Sequence, residues 1–215
     1  MKTIQFTSAA AKQFDRLPAV AQGAIEKALS VYAITGDGDV KSLTDREGFR
    51  MRVGEYRIIF NDQTTILAIH IGRRTSTTYQ ELSVTNIQHI KTPGGEELVI
   101  LARNEFEQLA ALARRAAESD NEAADVAAYD KAMAALADGS EVVLPADLSM
   151  LILSSRSRIA AVRKWRGMSQ VDLAAAVGVK QGYLSDIETG RRDGAPDTIA
   201  RLAAALDVPI AWIER

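Results

Sequence analysis

Gly48-Phe-Arg-Met-Arg-Val-Gly-Glu-Tyr-Arg-Ile-Ile-Phe60 decides the architecture of the first third of the chain. Gly54 and Glu55 separate two alternating runs, and a two-residue loop with glycine first suits a type II′ hairpin turn. In that register Val53 faces Tyr56, Arg52 faces Arg57 and Met51 faces Ile58. Side chains alternate along a strand. Met51, Val53, Tyr56, Ile58 and Phe60 therefore share one face, and Arg50, Arg52 and Arg57 share the other. Like charges set opposite one another destabilise a sheet. Such a face calls for an anion supplied from outside the hairpin, or else for solvent and a balance by Glu47 or Glu55.

Outward from the hairpin, residues 2–7 alternate like a strand, and Ser8 is placed to cap a helix carrying Ala11, Phe14 and Leu17. Pro18 fits the first turn of a second helix with Ala21, Ile25, Ala28, Leu29 and Tyr32 at helical spacing, ended by Gly36-Asp-Gly38. Thr64–Ile71 reads as a strand after the hairpin, on which His70, in the same strand as Ala68, reads as a half-buried structural histidine. The order of strand, two helices and antiparallel meander predicts a small α+β domain.

Beyond it, Ser83–Glu97 reads as a connector with strand character at Asn86–Ile90, followed by a short strand at Leu98–Leu101. Asn104 and Glu107 have capping-box spacing and open a helix with Phe106, Leu109, Ala113 and Ala117 on one side. Ser119-Asp-Asn121 is expected to interrupt it. A further helix with Val126, Tyr129, Met133 and Leu136 ends at Gly139. From Pro145 the pattern is helical throughout.

The chain has 215 residues, of which 47% are hydrophobic, and it has no cysteine and two histidines. Disulfides and thiolate sites are excluded, and a transition-metal site or other cofactor is not expected. No run of about 18 apolar residues and no signal-peptide pattern is present, which predicts a cytoplasmic protein away from membranes. The net charge of −2 is unevenly spread: residues 1–85 carry +2, residues 96–147 carry −8 and residues 148–215 carry +3. The acidic middle is either an ordinary helical subdomain or the cover of a basic surface.

Ser169-Gln-Val-Asp-Leu-Ala-Ala-Ala-Val-Gly-Val-Lys-Gln-Gly-Tyr-Leu-Ser-Asp-Ile-Glu-Thr-Gly190 has the form of a helix-turn-helix. Ala174 and Gly178 permit a tight turn, and Leu173, Val179, Leu184 and Ile187 are placed to hold the crossing angle. Lys180, Gln181, Tyr183 and Ser185 then stand at the exposed start of the second helix, which enters a major groove end-on. Gln181 is suited to an adenine edge, and Ser185 to bases or phosphates. Gln170, Arg191 and Arg192 suit phosphate contacts. The bland alternative is a helical bundle that never touches DNA. Over residues 155–213 the stretch resembles the Xre/Cro-repressor-type DNA-binding family. That resemblance implies operator DNA as a partner and a homodimer.

The hairpin together with Ile71-Gly-Arg-Arg74 and Tyr79 resembles the RelE/ParE toxin superfamily over residues 1 to about 80. The RelE branch consists of ribosome-dependent endoribonucleases that cleave mRNA. The resemblance implies catalytic roles for Arg57, Arg74 and Tyr79 and RNA-binding roles for Arg50, Arg52 and Arg73. RNA cleaves itself when its 2′-hydroxyl attacks the adjoining phosphate, so such chemistry needs positive charge and a proton acceptor, not a metal. Residues 90–215 resemble Xre-type antitoxins. The whole is thus expected to be a toxin–antitoxin fusion: a RelE-like domain at 1–85, a strand/helical linker that neutralises it at 86–147, and an all-α helix-turn-helix domain at 148–215. Ribosome and mRNA are the expected partners of a freed N-terminal domain. Two alternatives remain open: a ParE-like gyrase poison, and a transcription regulator whose toxin-like domain is inactive.

Overall fold

A computed structural model describes residues 2–73, 88–91, 94, 97–100, 102–155 and 157–214. The chain divides into two units, Met1–Arg73 with Asp125–Arg215, and Arg74–Ala124.

The first unit opens with β1 (Thr3–Phe6), α1 (Ser8–Asp15) and α2 (Ala19–Thr35), followed by β2 (Val40–Ser42), β3 (Gly48–Val53), β4 (Tyr56–Asp62) and β5 (Thr65–Arg73). The five strands form one mixed sheet in the order β1-β5-β4-β3-β2, with β1 parallel to β5 and the other pairs antiparallel. The hairpin has the register expected from its alternation: Val53↔Tyr56, Arg52↔Arg57 and Met51↔Ile58. Gly54 adopts φ +59°, the left-handed conformation that the first position of this turn demands. β2 has no counterpart in the sequence reading, because three residues at a sheet edge are too few to show a period. The cap of α1 is Thr7, not Ser8: the Thr7 hydroxyl accepts from the Ala10 N–H at 3.1 Å.

One face of the sheet carries the principal core. Ile4, Phe6, Met51, Ile58, Phe60, Ile66, Ala68 and Ile71 are buried there with Phe14, Ile25 and Leu29 of the two helices. The pairing of β4 with β5 jumps between Ile59↔His70 and Phe60↔Ala68, leaving Ile69 as the extra residue of a bulge. That extra residue reverses the alternation. His70 consequently does not share the side of Ala68, as simple counting suggests, but stands opposite Ile59 on the arginine face.

The second unit contains β6 (Gln88–Lys91) paired antiparallel with β7 (Glu97–Ile100), Lys91 facing Glu97. It also contains the first part of α3 (Arg103–Ala137), a single helix of 35 residues. The break expected at Ser119–Asn121 does not occur, and Asn104 lies inside the helix instead of capping it. Ser, Asp and Asn each cost well under ~1 kcal/mol in a helix interior, and the Ala-rich flanks outweigh three of them.

The C-terminal part of α3 returns to the first unit and lies on the arginine face. Buried Tyr129 joins Leu43, Ile59 and Ile69 in a second apolar cluster, flanked by Leu67, Val126, Ala132 and Met133. Residues 142–144 then run along the free edge of β1. The Leu144 N–H donates to the Phe6 carbonyl at 2.9 Å, and Val143 bridges to Thr7. Next comes α4 (Ala146–Ser154), whose Leu148, Ile152 and Leu153 enter the principal core. The all-helical end of the chain comprises α5 (Arg158–Trp165), α6 (Gln170–Ala176), α7 (Gln181–Glu188), α8 (Pro196–Leu206) and a 3-10 turn at Ile210–Trp212. Its apolar residues continue the same core, so the α+β and helical parts share one interior. Among the described residues no helix is long and apolar enough to cross a membrane.

Candidate nucleic-acid interface

Two arginine-bearing surfaces merit description, one on the sheet and one on the helical end. On the sheet, Arg50 of β3 and Arg57 of β4 converge on Asp125 of α3. The Arg57 Nη1 donates to Asp125 Oδ1 at 2.7 Å, and the Arg50 Nη1 to Oδ2 at 3.4 Å. All three side chains are buried, with residue exposures of 7%, 5% and 3% for Arg57, Arg50 and Asp125. A carboxylate held between two guanidiniums has the charge and oxygen geometry of a bound phosphate. The hairpin's anion thus comes from the chain itself, 68 residues downstream of Arg57.

Tyr129, one turn after Asp125, lies on the backbone of β3. A Cβ built on Gly48 would stand 2.5 Å from the Tyr129 ring, so only glycine leaves room for this seat. Outside the buried zone, Arg46 makes a forked pair with Asp130 at 2.6 and 2.8 Å, and Asp130 titrates below its ordinary range because of it. His70 sits on the same face, with Nδ1 3.0 Å from the Gln13 amide and its ring over Gly72, where a Cβ would meet Nε2 at 2.8 Å. Burial pushes the His70 imidazole below its ordinary value. Arg57 and Lys131 add to that shift, and Asp125 opposes it.

Two more of the residues expected on this surface, Arg52 and Arg73, are described. Arg52 is half-buried and stands opposite Arg57 in register. Arg73 is exposed and pairs with Glu55 at 2.7 Å, so Glu55 does not serve as the balance for Arg50 or Arg57. Arg74 and Tyr79 lie outside the described residues.

At the helical end, Ser169 and Asp172 form a complete capping box at the start of α6. Gly178, at φ +67°, makes the turn towards α7, and Leu173, Leu184 and Ile187 are buried between the helices. Val171, by contrast, is 64% exposed and takes no part in the core. A polar chain links Gln181, at the start of α7, to α5. Arg163 of α5 donates to Glu188 through Nε at 2.7 Å and Nη2 at 3.0 Å, with Arg163 and Glu188 both buried. Glu188 accepts from the Gln170 amide at 2.7 Å, and the Gln170 carbonyl oxygen accepts from the Gln181 amide at 2.7 Å. A carboxylate accepts only, so it sets the orientation of Gln170, which in turn sets that of Gln181. The Gln170 side chain is therefore engaged in positioning Gln181.

Lys180 is exposed at the N-cap of α7, Gln181 is exposed beside it, and Tyr183 and Ser185 are half-buried. The Arg192 guanidinium lies over the Tyr183 ring at 5.5 Å, and Arg191 pairs with Asp186 at 3.5 Å. Both arginines are exposed just after α7. Four short helices, a glycine turn and a buried Arg–Glu tie across them settle the motif. Residues 159–213 match the Helix-turn-helix family.

The helix-turn-helix domain is of the Xre type, as its spacing suggests. Among solved structures, the restriction-modification controller protein C.AhdI from Aeromonas hydrophila is 33% identical over 26% of this chain and 83% of its own, with a TM-score of 0.25. No curated protein matches the chain. Residues 159–213 lie wholly inside the helical end.

Asp125, Gly48 and Tyr129 were not singled out as site residues by sequence reasoning. Their signal is a carboxylate inside the apolar stripe Val126–Tyr129–Met133, four residues ahead of the tyrosine. A charge placed on the buried side of a helix needs a partner of opposite sign.

Proposed function

We propose that this chain is a DNA-binding transcription regulator of the Xre type whose N-terminal α+β domain is sealed by its own α3. The observation that carries the reading is the helix-turn-helix at 159–213, with Gln181 held at the start of α7 by Gln170, Glu188 and Arg163. Lys180, Gln181, Tyr183 and Ser185 are the proposed groove contacts, and Arg191 and Arg192 the proposed phosphate contacts. The Gln170 backbone N–H, at the start of α6, is a further phosphate donor. Operator DNA with two half-sites and a homodimer follow from the way such domains dock. Selecting duplexes from a random pool with the full chain tests this. A recovered sequence that loses binding with Gln181→Ala supports the reading, and recovery of no sequence above background removes it.

A second reading is favoured by Asp125 standing between Arg50 and Arg57. The domain at 1–85 is then a RelE-like, metal-independent endoribonuclease kept latent by residues 86–147, with Arg57, Arg74 and Tyr79 as catalytic groups. Arg50, Arg52 and Arg73 bind RNA, and ribosome-bound mRNA is the substrate. Full-length protein with Asp125→Ala and Tyr129→Ala should then arrest growth and cut mRNA, and adding Arg57→Ala should abolish both. DNA breaks in place of mRNA cuts would favour a gyrase poison, and harmlessness an inactive domain.

A further inference from the structure

Helix α2 is apolar on both of its sides. Ala21, Ile25, Leu29 and Ala33 are buried on the inner side. Val20, Ala24, Lys27, Val31 and Ile34 are exposed on the outer side, Val20 at 88% and Ile34 at 62%. At about 100° per residue these five fall within about 80° of the helix circumference, and their steps of four and three are those of a two-stranded helical seam. A helix that is apolar all round belongs in an interior, yet no described part of this chain covers the outer side. Beside the stripe, a groove lined by Ala28, Val31, Asp39 and Met51 carries the apolar surface on to the sheet.

The two ends of α2 differ in charge. Arg16 precedes the helix, Pro18 offers no side-chain cap and the first turn holds no acidic residue. Asp37 and Asp39 follow it, and the last turn holds no basic residue. These charges add to the helix dipole, positive at the start and negative at the end, instead of offsetting it. Among the described residues, none of Arg16, Asp37 and Asp39 is ion-paired within the chain.

From this arrangement we infer that α2 pairs with α2 of a second copy of this chain, antiparallel across a two-fold axis near Lys27. A two-fold interface is self-complementary. Only the antiparallel direction sets the Arg16 end of each helix beside Asp37 and Asp39 of the other, whereas parallel pairing sets like ends together. Val20 of each copy then meets Ile34 of the other, and the small Ala24 leaves room for Val31. Lys27, at the axis, lays its stem on the apolar surface and carries its ammonium out to water. The inference supplies the homodimer of the DNA-binding reading with a surface on the α+β domain, and it is tested without DNA.

The test weighs the full chain, 23.3 kDa, by sedimentation equilibrium. The parent protein should have the mass of two copies. Val31→Glu with Ile34→Glu should raise the dissociation constant about thirtyfold or more. Both side chains are exposed in the single chain, so its circular dichroism should not change. Arg16→Glu alone, and Asp37→Arg with Asp39→Arg, each set like charges at both ends of the pair and should each weaken it about tenfold or more. Mixed in equal amounts, these two variants should form a heterodimer, resolved by native mass spectrometry, because both ends are then opposite in sign. A parent protein of single-chain mass at its highest soluble concentration overturns the inference and leaves the stripe to a different protein. A dimer indifferent to Val31→Glu with Ile34→Glu overturns it by placing the pairing elsewhere, and a mixture without heterodimer overturns it as well. Should Val31→Glu with Ile34→Glu not fold, the charge variants decide, since Arg16, Asp37 and Asp39 are exposed residues outside α2. A single chain that selects a duplex would remove this inference and keep the DNA-binding reading, and a dimer that selects none would do the reverse.

Discussion

Asp15, the last residue of α1, grips Arg158, the first residue of α5, from 143 residues away. It accepts from the Arg158 backbone N–H at 3.0 Å and lies 3.6 Å from its Nε. The same guanidinium donates to the carbonyls of Ala211, Trp212 and Glu214, tying the closing 3-10 turn to the start of α5. Arg158 is 1% exposed. Removing one partner of a buried pair leaves an uncompensated charge, which costs about 3–5 kcal/mol. Asp15→Ala should lower stability by that order, and Asp15→Leu with Arg158→Met should recover most of it. Denaturant unfolding followed by tryptophan emission reads both.

Gly48 tests the seat of α3 from the side of the sheet. An added methyl meets the Tyr129 ring at 2.5 Å, and overpacking of this kind costs about 1–3 kcal/mol. Gly48→Ala should destabilise the protein and speed exchange in Asp125–Ala137. The same change made with Tyr129→Leu should cost less, because the flat ring is the obstacle. Equal penalties in both backgrounds would mean that the seat is not what glycine preserves there.

For the helix-turn-helix, contacts to bases and to phosphates separate by their salt dependence. Gln181→Ala should cost about 1–3 kcal/mol against the selected duplex and little against unrelated DNA. Lys180→Ala should weaken both alike and reduce the slope of log K against log salt by about one. Glu188→Gln should resemble Gln181→Ala in its loss of discrimination, since it frees the orientation of Gln170. Titrations at several salt concentrations distinguish these outcomes.

His70 contributes to acid sensitivity. Its folded value is depressed, first by burial and then by Arg57 and Lys131, with Asp125 opposing. Between the folded value and the ordinary one of about 6.5, the unfolded chain binds more protons than the folded one. Stability from this group is therefore complete above the ordinary value and falls as pH drops through the window towards the folded value. His70→Gln should flatten that part of the stability–pH curve. An unchanged slope would assign it to the carboxylates.

Much of the molecule is legible in short stretches of sequence. The Gly54–Glu55 turn fixes the hairpin register, Ser169 and Asp172 mark the start of α6, and Gly178 marks the turn into α7. Each of these rests on contacts within a few residues, where propensity and period are informative. The part of α3 that lies on the arginine face was legible only as an acidic stretch beside basic ones. Its helix was read with a break that is absent, because Ser119–Asn121 are mild breakers inside a strong helix former.

By itself, then, the sequence determined the strands of the meander, the two-faced hairpin and the helix-turn-helix, all of which follow from local periodicity and caps. Only the tertiary structure decided which carboxylate meets Arg50 and Arg57, which side of β5 carries His70, and that Asp15 bolts the helical end to α1. Ion pairs across 68 and 143 residues and a one-residue bulge depend on how distant segments are brought together. No local pattern encodes that choice.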